Sequence, residues 1–167
     1  HIMTDEIVAI NRFGWEATRI MFGWDLGRRC NYDCSYCPSH RHNNYSPHAS
    51  LDELVDTFKK LSRYRQVMAE VSRLQEFTIS LTGGEPAANP IFWDFCNEMR
   101  AIDPLIRIGL TSNGTMPERV YKSIGDYVHS LTISYHCEAD PKLKKGVVDA
   151  MLYVHKNTDT YINCNIM

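Results

Sequence analysis

The chain has 167 residues, 18 basic and 20 acidic side chains, a formal charge of −2, 23% charged residues and 44% apolar ones, which is the composition of one soluble globular domain. The near balance of charge removes the broad electrostatic reason to expect nucleic acid as a partner. No run approaches the roughly 20 apolar residues of a membrane span, and the N-terminus lacks the order of a signal peptide, so no membrane and a cytoplasmic location are expected. His1 and Ile2 ahead of Met3 read as a vector remnant and a start codon, leaving residues 4–167 as a single domain.

Ala17 to Leu26 reads as the first strand and stops just before Cys30, Cys34 and Cys37. The polar loop Ser39 to His48 follows, and Ser50 opens a capping box ahead of Leu51, Leu54, Val55, Phe58 and Leu61 at helical spacing. That stripe continues through Met68, Val71 and Leu74, as one long helix or two consecutive ones. Phe77 to Leu81 is a short strand ended by the turn Thr82-Gly83-Gly84-Glu85-Pro86, and Asn89-Pro90 caps and opens a helix carrying Ile91, Phe92, Phe95 and Met99. Leu105 to Thr111 is the next strand, closed by Ser112-Asn113-Gly114-Thr115, with a short helix from Pro117 to about Gly125. Leu131 to Tyr135 is a strand, Asp140-Pro141 starts a helix with Leu143, Val147, Val148, Met151 and Leu152, and Thr160 to Ile166 is the fifth strand. Cys96, Cys137 and Cys164 each sit in an apolar run and read as small buried hydrophobes.

Alternation of this kind predicts an α/β fold with a curved parallel sheet, because crossovers of this length are right-handed and set successive strands side by side. The polar motifs then share one edge. Cys30, Gly83 to Pro86, Ser112-Asn113 and His136-Cys137-Glu138 each follow a strand, at the C-terminal rim where such sheets bind ligands.

The central signal is C-x3-C-x2-C at Cys30, Cys34 and Cys37. Three thiolates on one tight loop suit three irons of a cubane 4Fe-4S cluster, and the loop offers no fourth cysteine, so one iron stays open to an outside ligand. With Tyr36 just before the third cysteine, and Gly83-Gly84-Glu85-Pro86 after the second strand, the sequence resembles the radical S-adenosylmethionine (radical SAM) superfamily from Thr18 onward.

The resemblance implies a partial (β/α) barrel that binds a 4Fe-4S cluster on the three cysteines and S-adenosylmethionine beside it. The expected chemistry is a 5'-deoxyadenosyl radical that abstracts a hydrogen from a small-molecule or peptide substrate. By the same likeness Gly83 to Pro86 contact the methionyl amino group, with Glu85 offering a carboxylate to an ammonium, and Tyr36 belongs to the cofactor site. Ser112, Asn113, Ser134 and His136 are candidates for the ribose and carboxylate, while Asn113-Gly114 also reads as a plain turn with positive φ. No acid-base residue is assigned, since the chemistry belongs to the cofactors. An electron donor such as flavodoxin or ferredoxin is implied. The family core has six β/α units against the five strands counted here, so the domain is expected to be incomplete at its C-terminus, with an open edge available for self-association.

Two rival readings stand beside this one. A zinc-binding structural or interaction module would use the three cysteines with His40 or His42, and a degenerate relative would keep the cluster without turnover. The His-rich loop reads as solvated rather than as a second metal site. Trp15 and Trp24 read as packing, and Lys142, Lys144 and Lys145 as an exposed helix face.

Overall fold

Apolar residues that recur every second position in short β-prone runs, and every third or fourth position between them, dictate a sheet covered by helices. A computed structural model describes residues 18–116 and 118–167. His1 to Met3, Trp15, Ala17 and Pro117 lie outside the described residues. The elements are β1 (Arg19–Asp25), α1 (Leu51–Val71), β2 (Glu76–Thr82), a 3-10 turn (Pro86–Ala88), α2 (Phe92–Ile102), β3 (Ile106–Ser112), α3 (Glu118–Tyr127), β4 (Ser130–Tyr135), α4 (Pro141–Asn157) and β5 (Tyr161–Ile166). The strands form one open sheet in the order β1-β2-β3-β4-β5, every pair parallel, as the crossover rule requires.

One face of the sheet carries the core. Phe77, Ile79 and Leu81 of β2, Ile106, Ile108 and Leu110 of β3, and Leu131 and Ile133 of β4 are buried with Phe58, Phe95, Met99, Ile124 and Val154 from the helices, each such side chain contributing about 2 kcal/mol. Trp24 packs edge to face on Phe95 with ring centroids 5.5 Å apart. Toward the C-terminal rim the opposite face is small and polar, above a row made by Met21, Thr78 and Arg107. In register it presents Gly23, Ser80, Gly109 and Ser130 along one row and Asp25 and Thr82 along another, unlike the apolar layers that fill a closed barrel.

The stripe from Leu51 to Val71 is a single 21-residue helix whose capping box closes as expected, the Ser50 hydroxyl accepting from Glu53 N and the Glu53 carboxylate accepting from Ser50 N. Leu74 falls beyond it. The buried Asp103 carboxylate accepts from Ser62 Oγ and Arg65 Nε, both at 2.7 Å, and so ties α1 to the end of α2.

Several expectations shift. Asn89-Pro90 does not cap α2: Asn89 closes the 3-10 turn that precedes it, the helix starts at Phe92 after Ile91, and Asn89 Oδ1 accepts from Ile91 N. α3 ends two residues past Gly125, at Tyr127, and the glycine sits against Thr158, whose Cβ an added Cβ would meet at 2.9 Å. Cys96 is buried, its thiol pushed up to about 12 by burial. Cys137 and Cys164 are exposed. The first lies in the loop after β4, and the second on β5, an edge strand among the described residues, where Ile162 packs on the core but Cys164 stays exposed. Val148 and Leu152 of the α4 stripe stay exposed too, while Val147, Ala150 and Val154 form its buried face. Lys142 and Lys145 are exposed, but Lys144 is half-buried and donates to the Cys137 carbonyl.

Candidate functional site

The segment leaving β1 carries the cysteines, and it is zipped to the segment leaving β2. Leu26 N donates to Thr82 O at 2.9 Å, Gly84 N to Gly27 O at 2.7 Å and Glu85 N to Arg29 O at 2.9 Å. Two glycines make this approach possible. Gly83 sits at φ 140, and a Cβ on Gly84 would lie 2.2 Å from the Arg29 carbonyl oxygen. Cys30 N in turn donates to Asn43 O at 2.8 Å and Asn43 N to Arg28 O, so the His-rich loop doubles back as a short parallel bridge beside the first cysteine.

One cleft of 180 Å³ gathers Cys30, Cys34, Cys37 and Tyr36 with Gly83 and Gly84, and its far wall is Ser112, Asn113, Ser134 and His136. Glu85 and Pro86 do not line it. The Glu85 carboxylate is 4% exposed and accepts from Asn113 N at 2.7 Å, Ser112 Oγ at 2.9 Å and Ala87 N at 3.2 Å. It therefore braces the exit of β3 against the exit of β2 instead of facing the cleft. Burial pushes its carboxyl up, and the three hydrogen bonds oppose that. Asn113 is the turn residue of one of its two readings: its Oδ1 accepts from Thr115 N, next to Gly114 at φ 78, while its Nδ2 donates to Asn31 Oδ1 at 2.8 Å.

His136 forms the floor between the aromatic side chains. Its ring stacks on Tyr36 at an interplanar angle of 10°, meets Tyr32 edge-on at 5.1 Å, and turns Nδ1 toward the Tyr36 hydroxyl and the Cys34 sulfur. Nε2 is buried and finds no hydrogen-bond partner among the described residues. Burial lowers the His136 pKa and raises those of Cys30 and Cys34.

The donor set fits a cluster. All three thiols are free of disulfides and line one cleft, and soft sulfur ligands suit iron-sulfur chemistry. Among the described residues no three His, Cys, Asp or Glu side chains converge on a single ion; a cubane, whose corners are separate irons, does not ask them to. His42 is taken as well: Nε2 faces Asp33 Oδ1 at 2.9 Å and Nδ1 faces Pro38 O at 3.3 Å, so the Cys3His zinc arrangement through His42 is not favoured. A larger hollow of 660 Å³ between α3 and α4, lined by Tyr121, Leu143 and Val147, contains no cysteine. The residues that sequence reasoning missed are Asn31, Tyr32, Ser35 and Thr115. Asn31 and Ser35 stand inside the cysteine motif, and their polarity was the available signal.

The family model of the radical SAM superfamily matches residues 24–147. The chain belongs to that superfamily, whose members bind a 4Fe-4S cluster and S-adenosylmethionine. Among curated relatives it is 29% identical over 119 residues to a GTP 3',8-cyclase of Haemophilus influenzae, covering 69% of this chain and 32% of that one. It is 27% identical over 154 residues to molybdenum cofactor biosynthesis protein 1 of Bos taurus, covering 85% and 23%. The chain thus spans about a third or less of the length of these relatives. Among solved structures, BtrN in complex with AdoMet and 2-DOIA superposes with a TM-score of 0.59 at 19% identity, covering 86% of this chain and 56% of that one. For anSMEcpe with bound AdoMet the values are 0.56 and 19%, covering 89% and 41%. The shared fold is the partial barrel.

Proposed function

We propose that this chain is the cluster- and cofactor-binding core of a radical SAM enzyme, with Cys30, Cys34 and Cys37 holding a 4Fe-4S cluster and S-adenosylmethionine lying across the rim toward β4. The observation that carries this reading is the single cleft that joins the three thiols to Gly83, Gly84, Ser112, Asn113, Ser134 and His136. When bound, the two groups supply a one-electron cleavage of the sulfonium that yields methionine and a 5'-deoxyadenosyl radical, which takes a hydrogen atom from the substrate.

The protein's own residues bind and orient. Backbone groups beside Gly83 and Gly84 meet the amino group, the hydroxyl of Ser134 and the amide of Asn113 serve the polar parts of the cofactor, and the buried Nε2 of His136 gains a partner. Tyr36 and Tyr32 shield the cleft from water on the cysteine side. Glu85 holds the β2 and β3 exits in register. The electron comes from a flavodoxin or ferredoxin, in a cytoplasmic compartment that keeps free thiols reduced. The substrate is a small molecule or peptide, and the names of the bacterial relatives make GTP the first compound to try. None of the described helices is long and apolar enough to cross a membrane.

Anaerobically reconstituted, reduced protein should convert S-adenosylmethionine to methionine and 5'-deoxyadenosine, and Cys34→Ala should lower that rate by about 100-fold or more. A cluster that forms without either product would support the degenerate relative instead. A colourless zinc protein would support the interaction module.

A further inference from the structure

The two halves of the cysteine loop are held down differently. The Cys30 half is fixed by main-chain pairing, through the Gly84 and Glu85 amides and the Asn43 carbonyl, and by Asn31, which accepts from Asn113 Nδ2 and donates to Thr115 Oγ1, both at 2.8 Å. Among the described residues, the Cys34 half has no such main-chain pairing. Cys37 N donates only within its own turn, to Cys34 O at 3.1 Å. Among the described residues, the hydrogen bond by which the backbone of residues 34–37 reaches outside that turn runs from Ser35 N to Glu138 Oε1 at 2.9 Å. Glu138 is 103 residues away, in the loop after β4, and its second oxygen accepts from Ser35 Oγ at 2.6 Å.

We propose that Glu138 is a positioning residue for the cluster loop: its carboxylate chelates the N–H and O–H of Ser35 and pins the Cys34 to Cys37 turn to the β4 rim. The inference rests on the reading of the three cysteines as cluster ligands. Its physical basis is the shape of the contact. A carboxylate has two acceptor oxygens in a fixed fork, and both are spent on one residue, so the pair restrains rotation of the turn as well as its distance from the rim. The same loop bears His136, which faces Cys34 and Tyr36. Glu138 therefore sets the cysteine turn and the far wall of the cleft as one unit. Without the strap, Cys34 and Cys37 would sample spacings that a rigid cluster does not accept, and the turn would open to water and chelators.

Two variants and two readouts test this. Glu138→Ala removes both acceptors. Glu138→Gln keeps an oxygen for Ser35 N and offers an N–H to the Ser35 hydroxyl, which accepts as well as donates. In metal-free protein, hydrogen exchange of the peptide spanning residues 30–38 should quicken about tenfold in Glu138→Ala. In reconstituted protein, iron release to a chelator should quicken about 10- to 100-fold. Glu138→Gln should restore both toward wild type, and the global unfolding midpoint should stay put in each, since Glu138 lies on the surface. Unchanged exchange in Glu138→Ala overturns the strap. Faster exchange with unchanged iron release overturns the positioning role, and so does a glutamine variant that behaves like the alanine. Wild-type protein that takes up no iron overturns the cluster reading and the positioning role with it, while the exchange result still reports separately whether the strap exists.

Discussion

Gly84→Ala is expected to cost the protein about 3 kcal/mol and its capacity to hold iron, because the new methyl has nowhere to go. It would lie 2.2 Å from the Arg29 carbonyl oxygen, 2.5 Å from the Arg29 carbonyl carbon and 2.6 Å from the Arg28 carbonyl oxygen, all of them main chain. Relief requires the two exit segments to separate, and that breaks the hydrogen bonds from Gly84 N to Gly27 O and from Glu85 N to Arg29 O. The first cysteine follows Arg29 directly, so the cluster loop moves with the clash. Gly23→Ala is the control: a Cβ there meets nothing within 4 Å, and stability should change by less than about 1 kcal/mol. Urea unfolding and iron content after reconstitution measure both effects, and a Gly84→Ala protein with wild-type values of each would refute the zipper.

Glu85→Ala is the second large loss, about 3 kcal/mol, because it strands the amides of Asn113 and Ala87 and the hydroxyl of Ser112 in a buried place. Glu85→Gln keeps part of the network and should cost about half as much. The pair also carries a pH signature. Burial raises the Glu85 carboxyl above its unfolded value, so the folded state holds the proton more tightly than the unfolded one. The stability this adds is complete below the ordinary glutamate range and disappears as pH rises through the raised folded value. Wild-type stability minus that of Glu85→Gln should therefore shrink with rising pH across that interval, as followed by unfolding at a series of pH values. A difference that grew with pH would mean that the three donors outweigh burial.

What was legible in the sequence was what is local. The spacing of Cys30, Cys34 and Cys37 and the run Gly83 to Pro86 are contiguous, and parallel strand order follows from alternation and handedness, so the rim could be assembled on paper. The purpose of the glycines was less legible. Close approach to a ligand and close approach to Gly27, Arg28 and Arg29 call for the same residue, and only coordinates show the second. Glu85 shows the same limit: that its carboxylate has three partners, from the turn after it and from the end of β3, is not written beside the two glycines. The pairings of Asn31 with Asn113 and of Ser35 with Glu138 were out of reach because the partners lie 82 and 103 residues apart. Cys137 and Cys164 were read as buried from apolar neighbours. Alternation sets which face of a strand a side chain takes, but not whether anything covers that face at a sheet edge.

The central claim, that three thiols on this loop carry a cluster with one iron left for S-adenosylmethionine, is tested most directly by counting iron and recording the EPR spectrum of the reduced, reconstituted protein with and without S-adenosylmethionine. The account predicts about four irons per chain and a spectrum that changes when the cofactor is added. Stoichiometric zinc with no iron, or a four-iron spectrum indifferent to S-adenosylmethionine, would contradict it.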